Sequence, residues 1–190
     1  MTEATATKAS RRADAQRNYD RLLVVAREAV AARGADIVLE DIARDAGVGI
    51  GTLYRHFPTR QDLLEATFLD EAVELREYAE KLAHEADALG ALVSWLRQQI
   101  DFGAHGRSMG SAVMNAKHTE GSEINSACVA MRESGDVLLK RAQAAGVVRE
   151  EVNLLDVLRL IHAIVIANEQ SPDPDQVQRM LDLVIAGMLT

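Results

Sequence analysis

Apolar and small residues recur at helical spacing along most of this chain. Tyr19, Leu22, Leu23, Ala26, Ala29 and Val30 follow i, i+3, i+4, i+7, with Arg17, Arg21 and Arg27 elsewhere on the wheel. That spacing predicts an amphipathic helix over about 13–33, closed by Gly34. Leu39, Ile42, Ala43 and Ala46 leave room for only about two turns before Gly47. Leu53 and Phe57 form the buried pair of a third short helix near 50–56, which Pro58 stops. Thr59 stands where it can cap a fourth helix with Asp62 in capping-box spacing, and Leu63, Leu64, Thr67, Phe68, Ala72 and Leu75 carry that helix to about Leu82. Leu89, Leu92, Val93, Leu96 and Ile100 predict a fifth over 87–103, ending near Gly103 or Gly106. The glycine-spaced run that follows is weakly patterned and predicts a short sixth helix over about 107–115. A seventh occupies 121–145, closed at Gly146; Asn153 opens an eighth; Asp173 and Pro174 open a ninth that reaches Thr190. The expected fold class is all-α, with nine helices.

Composition agrees with that pattern. Three prolines in 190 residues, with Ala, Leu, Glu and Arg abundant, favour helix nearly throughout. Hydrophobic residues at 48% and charged residues at 26% exclude disorder as the main state. Cys128 is the single cysteine, so the chain can form no internal disulfide and no thiolate cluster of its own; it reads as a buried thiol. His118 and His162 have no companions at metal-binding spacing, so no metal is expected. No HExxH, no Glu-x-x-His pair, no phosphate-binding glycine loop after a strand and no nucleophile with a base are present; no enzyme, catalytic residue or cofactor is expected. The N-terminus lacks the apolar core of a signal peptide and no run of about 18 apolar residues occurs, which predicts a cytoplasmic protein.

Charge changes the picture through its distribution. The net charge is −8, but residues 1–60 hold ten Lys and Arg against eight Asp and Glu, a balance of +2, and the remainder carries −10. A modestly basic module is joined to an acidic body. Its first residues, with Lys8, Arg11 and Arg12, form a short basic arm over 1–12, readable as a flexible solvated tail or as a minor-groove contact.

The stretch GVGIGTLYRHFPTRQDLL, Gly47 to Leu64, puts three glycines in five positions ahead of Thr52, Tyr54, Arg55, His56 and Arg60. Two short helices joined through Ala46-Gly47-Val48-Gly49 fit a helix-turn-helix: Ala43 is small where the helices cross, Gly47 supplies a left-handed turn, and Val48 plugs the core. Gly49 and Gly51 strip side chains from the first turn of the third helix, so its backbone amides can approach a phosphate or base edge. Thr52, Tyr54, Arg55 and His56 are expected to face away from the Leu53/Phe57 side. Arg60 at the start of the fourth helix is unfavourable for the helix dipole unless an anion lies opposite.

This stretch resembles the DNA-binding signature of the TetR/AcrR family of bacterial transcriptional regulators, whose T-L-Y-x-H-F run is followed by Lys or Arg at the next helix start. The likeness covers about residues 14–64, and the length and nine-helix layout also fit. It implies a three-helix DNA-binding domain over 13–58 and a helical effector-binding and dimerisation domain over 59–190. It further implies phosphate contacts from Tyr54, His56, Arg60 and Arg44, and base-edge or backbone contacts from Gly49, Ile50, Gly51, Thr52 and Arg55. Gly49 and Val38 stand where the family often has capping Ser and Thr.

The eighth and ninth helices are unusually apolar, including Leu158, Ile161, Val165, Val177, Leu181, Val184, Ile185 and Met188. They are either the core of one subunit or a partner surface; the resemblance implies the second, a four-helix interface between two copies. It also implies an effector pocket between this interface and the DNA module. Trp95, Gln99, Phe102, Met109, Met114, His118, Cys128, Met131 and Arg132 are candidates to line it, with Met and aromatics suited to a largely apolar small molecule. The implied function is a repressor released from a palindromic DNA operator by that effector, with no membrane partner. A rival reading of the same chain is a dimeric helical ligand-binding protein whose DNA-reading head is non-functional, for which Gly49 and the net acidity argue.

Overall fold

The computed structural model describes residues 3–170 and 173–190; the side chains of 3–11, 112, 114 and 170 are outside that description. Nine helices are found among the described residues: α1 Glu3–Arg33, α2 Leu39–Asp45, α3 Ile50–His56, α4 Arg60–Leu82, α5 Ala88–Ser108, α6 Ser111–His118, α7 Glu123–Ala144, α8 Leu154–Gln170 and α9 Pro174–Met188. No strand occurs among them, and no helix is long and apolar enough to cross a membrane.

The expected punctuation operates at most helix ends. Gly34, Gly47 and Gly146 lie at φ of 64°, 65° and 71°, the left-handed region where a Cβ is strained. Thr59 and Asp62 form the reciprocal capping box at the start of α4. Asp173 caps α9 through the amides of Asp175 and Gln176, with Pro174 in the first turn.

Two boundaries differ from expectation. α1 is helical from Glu3, so residues 3–12, expected as a flexible arm, continue the helix; the Ala-rich stretch holds no Gly or Pro before Gly34 to interrupt it. α5 runs through Gly103 and Gly106 to Ser108, and α6 shifts accordingly from 107–115 to Ser111–His118. These glycines are close-approach positions. A Cβ on Gly106 would stand 2.7 Å from the Phe68 ring of α4, and one on Gly103 would stand 3.3 Å from Val165 of α8. Packing outweighs the roughly 1 kcal/mol that glycine costs inside a helix.

In the head, Leu22, Ala26 and Val30 of α1 meet Ile42 and Ala43 of α2 and Leu53 of α3, all essentially inaccessible, with Val48 and Phe57 closing the seam. The body is built around α4 lying on α7, with α5 against α4, α7 and α8, and α9 on α8. Trp95 is wholly buried in its centre, donating its indole N–H to the Leu75 carbonyl at 3.3 Å. Its six-membered ring lies flat against Gly135 of α7, where a Cβ would come within 2.2 Å. Gly135→Ala is therefore expected to lower stability by about 1–3 kcal/mol, or more where the ring cannot shift, read as a lower urea midpoint with an unchanged slope.

Candidate functional site

The candidate face consists of α2, the turn and α3. Gly47 N–H donates to the Arg44 carbonyl and Val48 N–H to that of Ala43, which folds the chain back so that α3 crosses α2. Nothing caps the first turn of α3: Gly49 and, for α2, Val38 provide no side-chain acceptor. Gly49 has φ −63°, Gly51 does not reach positive φ, and a Cβ on either would meet nothing within 4 Å. Neither backbone conformation nor internal packing asks for glycine at these two positions. Bare backbone there matters only to something outside the chain.

Ile50, Gly51, Tyr54, Arg55, Arg44 and Arg60 are exposed as expected, and Thr52 is half-buried. His56 differs in part: its ring is half-buried, 5.7 Å edge-on from Tyr19 of α1, because α1 passes behind the C-terminal end of α3. The polar groups rest on neighbours in the same head. Arg44 pairs with Asp41 at 2.7 Å and Asp45 at 3.2 Å, Arg55 donates to Thr52 Oγ1 at 2.7 Å, and Arg60 lies 3.8 Å from Asp36. Tyr54 donates its hydroxyl to Glu40 at 3.3 Å, and that carboxylate's charge raises the phenol pKa and keeps it a donor. Exposed pairs of this kind are weak and exchange readily for a stronger anion. Arg60 thus has an internal anion where the dipole argument expected an external one.

The head is tied to the body by a polar junction that sequence reasoning missed. Arg27 of α1 reaches Asp70 at 2.8 Å, Glu74 at 2.9 Å and Glu71 at 3.3 Å, all on α4. His105 of α5 places Nδ1 2.8 Å from Glu71 and Nε2 3.0 Å from the Arg27 carbonyl. Glu71 sits among Phe68, Ala72 and Leu75 on the buried stripe of α4, and that misplaced carboxylate is the signal that a cationic partner must face it.

The body holds a cavity of about 450 Å³ lined by α4, α5, α6, α7 and α8 and open to solvent beside Leu155, Arg159 and Ile166. Six expected residues line it: Gln99, Phe102, His118, Cys128, Met131 and Arg132. Trp95 and Met109 are core residues that do not reach it, because the Gly135 notch and the α5–α6 corner absorb them. The side chain of Met114 lies outside the described residues. Phe68, Arg107, Lys117, Leu158, Arg159 and His162 line it unforeseen, brought in by helix crossings that no local pattern reveals. The lining is mostly apolar, with Phe68, Phe102, Met131, Leu155, Leu158 and Ile166, and it also carries four Lys and Arg side chains that the expectation of an apolar small molecule did not include. Burial, reinforced by the charges of Lys117, His118 and Arg107, pulls His162 down to about 4, so it is a neutral acceptor for the Lys117 ammonium 3.4 Å away.

The expected partner surface also needs correction. Leu158, Ile161, Val165, Leu181 and Met188 are buried inside this chain, where α8 packs on α5 and α9 packs on α8. Val177, Val184 and Ile185 are half-buried. The exposed large apolar residues of these two helices are Leu155, Leu160 and Ile166 of α8 and Leu183 of α9, of which Leu160, 52% exposed, and Leu183, 73% exposed, are the most open.

Residues 22–67 match the tetR family of bacterial regulatory proteins, and residues 87–190, more than half of the chain, match the C-terminal domain of SbtR-like transcriptional regulators. This chain belongs to the TetR family. It is a TetR-family transcriptional regulator with a helix-turn-helix DNA-binding domain. Among solved TetR structures, the regulator SCO0520 from Streptomyces coelicolor is 32% identical, with a TM-score of 0.77 over 90% of this chain and 97% of that one. A TetR regulatory protein from Mycobacterium vanbaalenii is 30% identical, with a TM-score of 0.73 over 94% and 99%. The fatty acid degradation regulator FadR from Bacillus halodurans, 18% identical with a TM-score of 0.58 over 90% and 99%, shares the fold. No curated protein matches the chain.

The junction has a pH signature. The Glu71 carboxylate 2.8 Å from Nδ1 holds the His105 pKa above its ordinary 6.5, against the opposing effect of burial, with the Arg27 carbonyl adding to the rise. A raised value contributes stability that is complete below the unfolded value and lost as pH climbs through the folded one. The gap in urea midpoint between the parent and His105→Gln is expected to be widest in mildly acid solution and to narrow steadily above neutrality.

Proposed function

We propose that this regulator is a cytoplasmic repressor that binds a palindromic operator as a homodimer and is released by a small molecule in the body cavity. The observation that carries the DNA-reading part is the pair Gly49 and Gly51, which no internal contact requires, at the exposed start of a short helix flanked by Tyr54, Arg55, Arg44 and Arg60. In this reading Arg44, Tyr54, His56 and Arg60 exchange their present neighbours for phosphates, while Ile50, Thr52 and Arg55 meet base edges. Two copies joined through the outward faces of α8 and α9 would set their α3 helices about 34–36 Å apart, one turn of DNA.

Release would run through α4. The helix starts at Arg60 and brings Phe68 to the cavity about 12 Å further on, at 1.5 Å per residue. Effector preference of about 3 kcal/mol for a spacing that does not fit the operator would weaken binding roughly 150-fold. With an acidic body, affinity rests on few phosphate contacts and is expected to fall steeply with salt.

Footprinting and mobility shifts on the DNA beside its own gene test the reading. Tyr54→Phe with His56→Ala is expected to weaken binding to every sequence, and Thr52→Ala or Arg55→Ala to change which sequence is preferred. The rival reading of a non-functional head gains from the acidic neighbours that already hold Arg44, Tyr54 and Arg60; failure of the parent to bind any such duplex at moderate salt would favour it. Leu160→Glu with Leu183→Glu is expected to leave the helical content intact and convert the dimer to monomer in sedimentation, with loss of operator binding.

A further inference from the structure

The body cavity is charged in one direction only. Arg107, Lys117, Arg132 and Arg159 line it, and among the described residues no carboxylate does. Two of these cations are already committed: Arg107 to Glu169 at 2.7 Å and Arg159 to Asp156 at 2.8 Å, partners that do not line the cavity themselves. Lys117 of α6 and Arg132 of α7 are both half-buried and have no carboxylate partner among the described residues. The Lys117 ammonium faces the neutral ring of His162 instead. On α5, Gln99 is 3% exposed and its Nε2 donates to nothing. Lys117 thus has only a neutral ring to donate to, Arg132 has no carboxylate among the described residues, and the Gln99 amide donates to nothing. Donors short of anionic acceptors converge on the same space from three helices, an arrangement that favours a group with free lone pairs. The other walls are apolar: Phe68, Phe102, Met131 and Leu158 are all nearly inaccessible to solvent and border the same cavity. A volume of about 450 Å³ suits a small organic ligand.

We propose that the cavity takes a small organic anion, a single carboxylate on an apolar body, with the carboxylate held by Lys117, Arg132 and Gln99 and the body against the two phenylalanines. This rests on the reading of the cavity as the effector site. Burial holds the Lys117 pKa down, helped by the charge of Arg132, and a carboxylate between them would relieve both effects. Bound there, it would draw α5, α6 and α7 together at one end, and α5 carries His105 into the junction with the DNA-binding head.

Calorimetry with straight-chain carboxylates from hexanoate to dodecanoate, each compared with its alcohol and amine, tests the chemistry. At the best chain length the carboxylate is expected to bind the parent about tenfold tighter than the alcohol, with the amine weakest, in keeping with a charge-assisted hydrogen bond. Lys117→Met is expected to reduce the carboxylate's advantage over the alcohol severalfold, with Arg132 and Gln99 keeping the remainder, while raising the melting temperature of the free protein, because it removes a half-buried ammonium; Lys117→Arg should keep the full preference. Gln99→Leu, a second variant, should weaken the carboxylate more than the alcohol. Absence of any carboxylate preference in the parent, or absence of binding by all three series, overturns the proposal, as does a preference that is undiminished in both Lys117→Met and Gln99→Leu. Operator release is measured separately. A carboxylate that binds with the expected preference and leaves DNA affinity unchanged sinks the effector reading and not the anion site. An alcohol that binds as well as the carboxylate and releases DNA does the reverse.

Discussion

Arg27 leaves the exposed side of α1 and is met by three carboxylates of α4, one of which, Glu71, is nearly buried and shared with His105 of α5. Glu71 and His105 are the nearly buried members, so separating them would leave a carboxylate without its partner away from water, whereas Asp70 and Glu74 stay open to solvent. Close backbone approaches reinforce the junction: the end of α1 at Gly34 abuts the Ser108 carbonyl, and Ala35 lies beside Gly110 between α5 and α6. The orientation of the DNA-binding head is set by where α4 and α5 stand.

The cavity reads out the same two helices. Phe68 is one turn before Glu71 on α4, and Phe102 one turn before His105 on α5; their rings are 4.8 Å apart. Phe102 borders both the cavity and the polar cleft that holds Arg27. Two aromatic walls of the cavity therefore stand a single helical turn from the ion pairs that join head and body. Packed cores and paired charges respond to pressure by repacking, which is how a small occupant can move a distant element.

The head presents the opposite economy of forces. Its core is dry and fixed, while its outward polar groups are held by exposed, exchangeable contacts with Asp36, Glu40, Asp41 and Asp45. Those contacts orient the exposed side chains of α2, α3 and the start of α4 without binding them tightly.

Helix number, the helix-turn-helix and its exposed residues were legible because they depend on local rules: 3.6-residue periodicity, left-handed glycines at Gly34 and Gly47, the Thr59/Asp62 cap and the Pro58 stop. Gly103, Gly106 and Gly135 misled or stayed silent because their meaning is a neighbour's ring or methyl from another helix, and nothing nearby in the chain names that neighbour. For the same reason the apolar residues of α8 and α9 could not be divided by pattern between the inner face, Leu158 and Ile161, and the outer, Leu160 and Leu183. The sequence by itself determined which segments are helical and which short helix is bare-fronted. Only the tertiary structure decided that Arg27 faces α4 and that Lys117, Arg132 and Gln99 share one cavity, because long-range proximity arises from helix crossings and not from any interval along the chain.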